Sequence, residues 1–176
     1  KLAREKILHS LGRHADAFDI DILLQTASSN TLLMQRAASG APSGTVLAVE
    51  LQTAGRGRLG RRWVSPVRKG LWFSVLLRPV CSPQDATRLT IASATAIARA
   101  LRQVTGVLPQ IKWPNDILIR GRKVAGILTE MNAELDRVRH LIVGIGVDVN
   151  MVLGDFPADL RSIATSLKIE SGESVD

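Results

Sequence analysis

Apolar and polar residues alternate through "DIDILLQ" (Asp19 to Gln25), with Ile20, Ile22 and Leu24 on one face and Asp19, Asp21 and Gln25 among those opposite. This two-residue period predicts a strand with one face buried. "TVLAVEL" (Thr45 to Leu51) is apolar and β-branched enough for a buried strand, and "GLWFSVLLRP" predicts another, with Leu71, Phe73, Val75 and Leu77 on one side. "QIKWPNDILIRGRKVAGILTEMN" reads as a strand, a Trp-Pro break and a hairpin turning near Arg120, Gly121 and Arg122. "HLIVGIGVDVN" is an apolar strand whose interior Gly144 and Gly146 suggest a bulge or a close-approaching ligand.

Helical spacing occurs three times. Ile7, Leu8 and Leu11 share a face in "REKILHSLGRH", which Gly12 ends. In "TASSNTLLMQRAAS" a cap at Ser28, Ser29 or Asn30 precedes Leu32, Leu33 and Met34. The strongest helix runs from the cap Ser82, through Pro83 in the first turn and Asp85 three residues after the cap, to Gly106. Hairpins mixed with helices, without steady strand-helix alternation, predict an α+β fold: a mixed, largely antiparallel sheet with helices packed on one face.

At 176 residues the chain has the size of one domain. It lacks an initial Met, and "IESGESVD" reads as a turn followed by the polar start of a further element. A core from which flanking pieces are missing is therefore expected, with residues 1–18 as a lead-in helix and a C-terminal domain absent or truncated. Cys81 is alone, which excludes an intrachain disulfide, and no signal peptide or apolar run of about 20 residues occurs. A cytoplasmic protein without membrane attachment is the expectation.

Charge alters this picture locally. The chain carries 23 basic and 16 acidic residues, yet no acidic residue lies between Glu50 and Asp85, while Arg56, Arg58, Arg61, Arg62, Arg68, Lys69 and Arg78 do. Such a surplus points to an anionic partner. Within it, "GRGRLGR" contains the letters of a dinucleotide fingerprint, G-x-G-x-x-G. That fingerprint needs a helix after the glycines, and "RRWVSPVRKG", with its Pro and Gly, offers no helical stripe. A glycine-hinged loop remains, able to bind an anion with guanidinium forks and backbone amides.

Four polar clusters stand beside predicted strands: Ser28-Ser29-Asn30, Gln52 with the Arg-Gly loop, "KWPND", and Lys123 after the hairpin turn. Taken singly three of them have a plain structural reading: a helix cap for Ser28-Ser29-Asn30, a solvated lysine at a strand edge for Lys123, and an Asx-turn under a buried Trp113 for "KWPND". In combination they resemble the catalytic domain of biotin protein ligases. The resemblance runs from about Ile20 to Leu167 and rests on "QTAGRGRLGRRW", "KWPNDI", "GRKVAGILTE" and "GIGVDVN", in the family's order and at its usual separations.

The resemblance implies the biotinyl/lipoyl ligase fold, which is class II aminoacyl-tRNA synthetase-like, and a two-step reaction. Biotin's carboxylate attacks the α-phosphate of ATP, with Mg2+, giving biotinyl-5′-AMP and pyrophosphate. A lysine of biotin carboxyl carrier protein of acetyl-CoA carboxylase then takes the biotinyl group and releases AMP. By the same resemblance Arg58 and Lys123 offset the charge of the two reacting anions, with Arg56 beside them, and Asp116 helps an incoming amine whose free pKa is about 10.4. Ser28, Ser29, Asn30, Gln52, Arg56 and Gly57, with Arg58 and Lys123, match biotin-binding positions. Arg58, Arg61, Trp63, Asn115 and Asp148 match ATP-binding ones. The metal ligands are left unknown, and a homodimer is left open.

Two departures stand out. Ser-Ser-Asn replaces the usual Ser-Thr-Asn, losing a methyl, and Asp148 stands where Asn is common near the adenine. A carboxylate there accepts but cannot donate and adds negative charge, with weaker ATP affinity as one consequence. The rivals are a lipoate ligase or octanoyl transferase of the same fold, a nucleic-acid binder using the basic loop, and a catalytically silent scaffold. With only three Trp, three Phe and no Tyr, base-stacking platforms are scarce. The chain is expected to begin too late to hold the DNA-binding domain of those family members that are also repressors, so no nucleic-acid contact is expected through the residues present.

Overall fold

In a computed structural model, which describes residues 1–175, seven strands form one sheet in the order β1-β2-β3-β7-β6-β5-β4. Asp176, the last letter of the expected C-terminal element, lies outside the described residues. The strands are β1 (Asp19–Leu23), β2 (Thr45–Val49), β3 (Gly70–Leu77), β4 (Gln110–Lys112), β5 (Asp116–Ile119), β6 (Arg122–Ala133) and β7 (Val138–Asp148). Only the β1–β2 pair is parallel, and the helix α2 (Ser29–Ala38) makes that crossover. The largely antiparallel α+β sheet is as expected.

The helices divide between the two faces, which corrects the expectation that they share one. On β7, Leu141, Val143, Ile145 and Val147 point into a cluster with Ala94 and Leu101 of α3 (Thr87–Thr105). Ile142, one residue out of phase, joins Leu33 and Ala37 of α2 on the opposite face, with Leu47, Val49 and Leu76. Because side chains alternate across a strand, one apolar strand serves both layers.

Local signals explain most boundaries. Gly12 accepts a positive φ after α1 (Arg4–Leu11), and the Ser28 hydroxyl caps α2 by accepting from Thr31 N. The β5–β6 hairpin turns through Arg120 and Gly121, both at positive φ. α3 starts later than its Ser82 cap predicts. Ser82 Oγ does accept from Asp85 N at 3.2 Å, but Arg88 N and Leu89 N bond three residues back, so a tight turn precedes the regular helix. Leu24 lies past the end of β1 and is 69% exposed, and Trp113, expected to be buried, is 77% exposed. Its turn joins the edge strand β4 to β5.

The chain beyond β7 returns to the sheet. Lys123 N donates to Ile163 O and Thr165 N to Lys123 O, both at 2.8 Å, so Lys123 is held by the backbone on two sides. α4 (Leu167–Ser171) carries the buried Glu170, whose carboxylate meets Arg122 at 2.7 Å, Thr165 Oγ1 at 2.6 Å and Arg120 at 3.5 Å. A buried carboxylate needs such partners, and here they lock the hairpin that presents Lys123.

Candidate active site

A single cavity on the α2 side of the sheet is lined by Ser28, Ser29, Asn30, Gln52, Arg56, Gly57, Arg58, Trp63, Asn115 and Lys123. Its floor is formed by residues of β6 and β7, among them Gly126, Gly144 and Gly146. Residues from four separate stretches thus converge, including Lys123, Arg58 and Gln52. Three expected residues stand outside this lining: Arg61 is exposed on the loop, Asp116 lies behind Lys123, and Asp148 is buried at the end of β7.

One wing of the cavity is neutral and buried. Gln52 Oε1 accepts from Ser29 N at 2.9 Å and from Ser29 Oγ at 3.0 Å, while Gln52 Nε2 donates to Ser65 Oγ at 3.0 Å. From the strand below, Ser74 Oγ reaches Ser29 Oγ at 2.7 Å and Asn30 Oδ1 at 2.6 Å. Asn30 Nδ2 donates to Leu128 O and to Glu130. Networks of this kind are rigid when satisfied, and they leave hydroxyl and amide edges toward a neutral polar ligand.

The glycines of β7 make this wing and its neighbour fit. There is no register shift at Gly144 or Gly146, so neither marks a bulge. A Cβ at Gly144 would stand 2.1 Å from Asn30 Oδ1, and one at Gly146 would stand 2.6 Å from the Trp63 ring. Gly126, paired with Gly146 across the sheet, lies under the same ring. The close approach inferred from the sequence is therefore made by protein side chains. The indole Nε1 of Trp63 is buried without a hydrogen-bond partner.

The second wing is cationic. Lys123 Nζ pairs with Asp116 Oδ1 at 2.6 Å and lies 5.1 Å from the Trp63 ring centroid, close enough for cation–π attraction. Arg58 donates to Asn115 Oδ1 at 2.9 Å, and Asn115 is itself clamped to Ile127 through both side chain and backbone. Arg56 pairs with Glu130 and donates to Thr31 Oγ1 at 2.9 Å. The loop bearing these arginines turns at Leu59 and Gly60, both at positive φ, and no regular helix follows before α3, which bears out the rejection of the dinucleotide fingerprint.

Asp148 behaves differently from the anion expected of it. Burial pushes its carboxyl well above the usual value of 3.8, and Lys123 only partly opposes this. The neutral acid is thereby favoured, which can donate a hydrogen bond as the amide of Asn does and carries no charge. Ser65, Ser74, Thr31 and Glu130 were not read from the sequence as site residues. Ser74 left one signal, a polar residue inside the apolar run "GLWFSVLL".

Residues 23–148 match the model of the biotin/lipoate A/B protein ligase family, and the chain belongs to that family. It is 43% identical over 166 residues to the bifunctional ligase/repressor BirA of Bacillus subtilis, covering 94% of this chain and 50% of that protein. With the biotin–[acetyl-CoA-carboxylase] ligase of Mycobacterium tuberculosis it shares 39% identity, over 84% of this chain and 54% of the other. The chain thus spans about half the length of these curated relatives. Among solved structures, the biotin protein ligase from Aquifex aeolicus in complex with biotin and ATP superposes with a TM-score of 0.76 at 32% identity, covering 90% of this chain and 63% of that one.

Proposed function

We propose that residues 1–176 are the catalytic domain of a biotin protein ligase. One observation carries this reading: Arg58 and Lys123 share a cavity with the neutral Ser29–Gln52–Ser74 network. Biotin has a matching division, a neutral ureido ring that needs paired donors and acceptors and a carboxylate at the end of a chain. The related Aquifex enzyme, crystallised with biotin and ATP, supports the pairing.

In the first step a carboxylate oxygen of biotin forms a bond to the α-phosphorus of ATP, and the bond to the bridging oxygen of pyrophosphate breaks. Two anions meet, so oriented positive charge lowers the barrier. Arg58 and Lys123 supply it. Trp63 stacks on the adenine, with Asp148 at its edge, and Asn115 holds Arg58 toward the phosphates. The arginine-glycine loop covers the mixed anhydride against water.

In the second step a lysine amine of a biotin carboxyl carrier protein bonds to the acyl carbon and AMP leaves with the former carboxylate oxygen. Asp116, beside Lys123, offers a carboxylate near the incoming ammonium, which must lose a proton before attack. Among the described residues no three His, Cys, Asp or Glu side chains cluster as a metal cage. Mg2+ therefore belongs to this proposal as the counter-ion that ATP brings with it, as is common for this hard ion, and no step is routed through it. No described helix is long and apolar enough to cross a membrane, and a cytoplasmic setting and a homodimer are carried as parts of the proposal.

The test is ATP–pyrophosphate exchange with biotin, lipoate and octanoate side by side. Exchange with biotin alone is expected, because the acyl tails of the other two offer nothing to the neutral wing. Exchange that favours lipoate or octanoate would move the chain to the other branch of its family.

A further inference from the structure

Three cations line the cavity, and their partners differ. Lys123 faces the carboxylate of Asp116 and Arg56 faces that of Glu130, while among the described residues Arg58 meets the neutral amide of Asn115 and no carboxylate. Glu130 projects from β6 and divides its two oxygens: Oε1 takes the Arg56 guanidinium, and Oε2 accepts from Asn30 Nδ2 at 3.0 Å. Arg56 is on the loop, whereas Asn30 is in the first turn of α2 and lies on Gly144 at the cavity floor. One carboxylate therefore joins the covering loop to the neutral wing, and Thr31 adds a second tie from α2 to Arg56.

We propose that Glu130 is a positioning residue that docks the arginine-glycine loop through Arg56. Its charge holds Arg56 as a strut and leaves Arg58 as the loop cation whose charge meets the reacting anions. The same carboxylate orients the amide of Asn30, so docking of the loop and shaping of the ring pocket reinforce each other. The division of labour rests on the ligase reading, whereas the docking contact does not.

Limited proteolysis of the full chain without ligand reads the docking directly. Leu59, at the tip of the loop, is 88% exposed, so thermolysin cleavage before it reports loop opening. Leu135, in the β6–β7 turn, is also fully exposed and serves as the control site. Glu130→Ala and Arg56→Ala should each speed cleavage at Leu59 about tenfold, the size set by loss of a charge-assisted hydrogen bond, with cleavage at Leu135 unchanged. The double variant should be no faster than either single one, and Glu130→Asp should restore part of the protection.

Cleavage at Leu59 unchanged by Glu130→Ala, or effects of the two substitutions that multiply, would overturn the proposal. If Glu130→Ala loosens the whole fold, which faster cleavage at Leu135 would reveal, Glu130→Gln decides: it keeps the volume and the tie to Asn30 but lacks the charge that holds Arg56. Faster cleavage confined to Leu59 supports docking, and wild-type cleavage refutes it. In a second arm biotin and ATP are added. Wild-type protein that shows no biotin-dependent exchange would end the ligase reading, while the ligand-free cleavage would still decide the role of Glu130.

Discussion

The two wings of the cavity are built from different physics. In the neutral wing Ser29 and Asn30 are 4% exposed and Ser74 is fully buried, and protein hydrogen bonds already join them. In the cationic wing Lys123 and Arg56 are wetter, with side chains 32% and 48% exposed, and are held by ion pairs, while Arg58 is held by the amide of Asn115. A buried neutral network keeps its shape before a ligand arrives and selects by geometry. Exposed ion pairs are worth little in water and gain strength once a loop excludes it, so they suit a site that must open and close.

Removing charge from the second wing should have the largest effect. Arg58→Ala and Lys123→Ala are each expected to lower biotin-dependent pyrophosphate exchange by about a hundredfold or more, the scale of losing an oriented electrostatic contact in a transition state. Near-normal exchange in either variant would remove that residue from the chemistry. Gly144→Ala attacks the neutral wing instead, since its methyl would occupy the place of Asn30 Oδ1. The KM for biotin should rise about tenfold to a hundredfold with kcat little changed, as expected when ground-state and transition-state binding are lost together. A fall in kcat alone would contradict the assignment of this wing to binding.

Ser74→Ala should act in the same direction but more weakly. It leaves the buried Asn30 Oδ1 without its donor at a cost of about 1–3 kcal/mol, seen as a higher KM for biotin and a lower urea midpoint. The smallest expected effect concerns Asp148. Its folded pKa lies above the ordinary 3.8, so the folded protein holds this proton more tightly than the unfolded chain does. The resulting stability is complete below the unfolded value and is lost as pH rises through the folded one. Asp148→Asn removes that loss, so the variant should gain over wild type in urea midpoint as pH rises above the ordinary carboxyl value of 3.8. Parallel pH profiles would show that the carboxyl titrates normally.

The comparison also explains what was legible in the sequence. Both wings announced themselves where several polar letters stand together, as in "ASSN", "GRGRLGR" and "KWPND", because a short run of unlike residues breaks an apolar pattern visibly. Ser74 and Glu130 did not, since Ser74 is a single polar letter inside an apolar strand and Glu130 stands with Thr129 and Asn132 at the polar end of another, and a strand always shows some polar residues on a solvated face. Only the pairing of β3 and β6 with β7, and the burial of the α2 cap above them, reveals that both letters bond Asn30 in the pocket wall. Strand and hairpin positions followed from local period and turn residues. The distribution of helices over both faces did not, because β3 pairs with β7 across the intervening α3 and three strands, and local pattern carries no record of such partners.

The claim that two physically distinct wings read the two ends of one ligand is tested most directly by titrating biotin and its methyl ester into the wild type, Ser74→Ala and Lys123→Ala. Loss of the neutral wing should weaken both ligands by the same factor, whereas loss of the cation should weaken biotin and leave the uncharged ester unchanged. If Lys123→Ala weakens the ester as much as the acid, the wings do not divide the ligand between them.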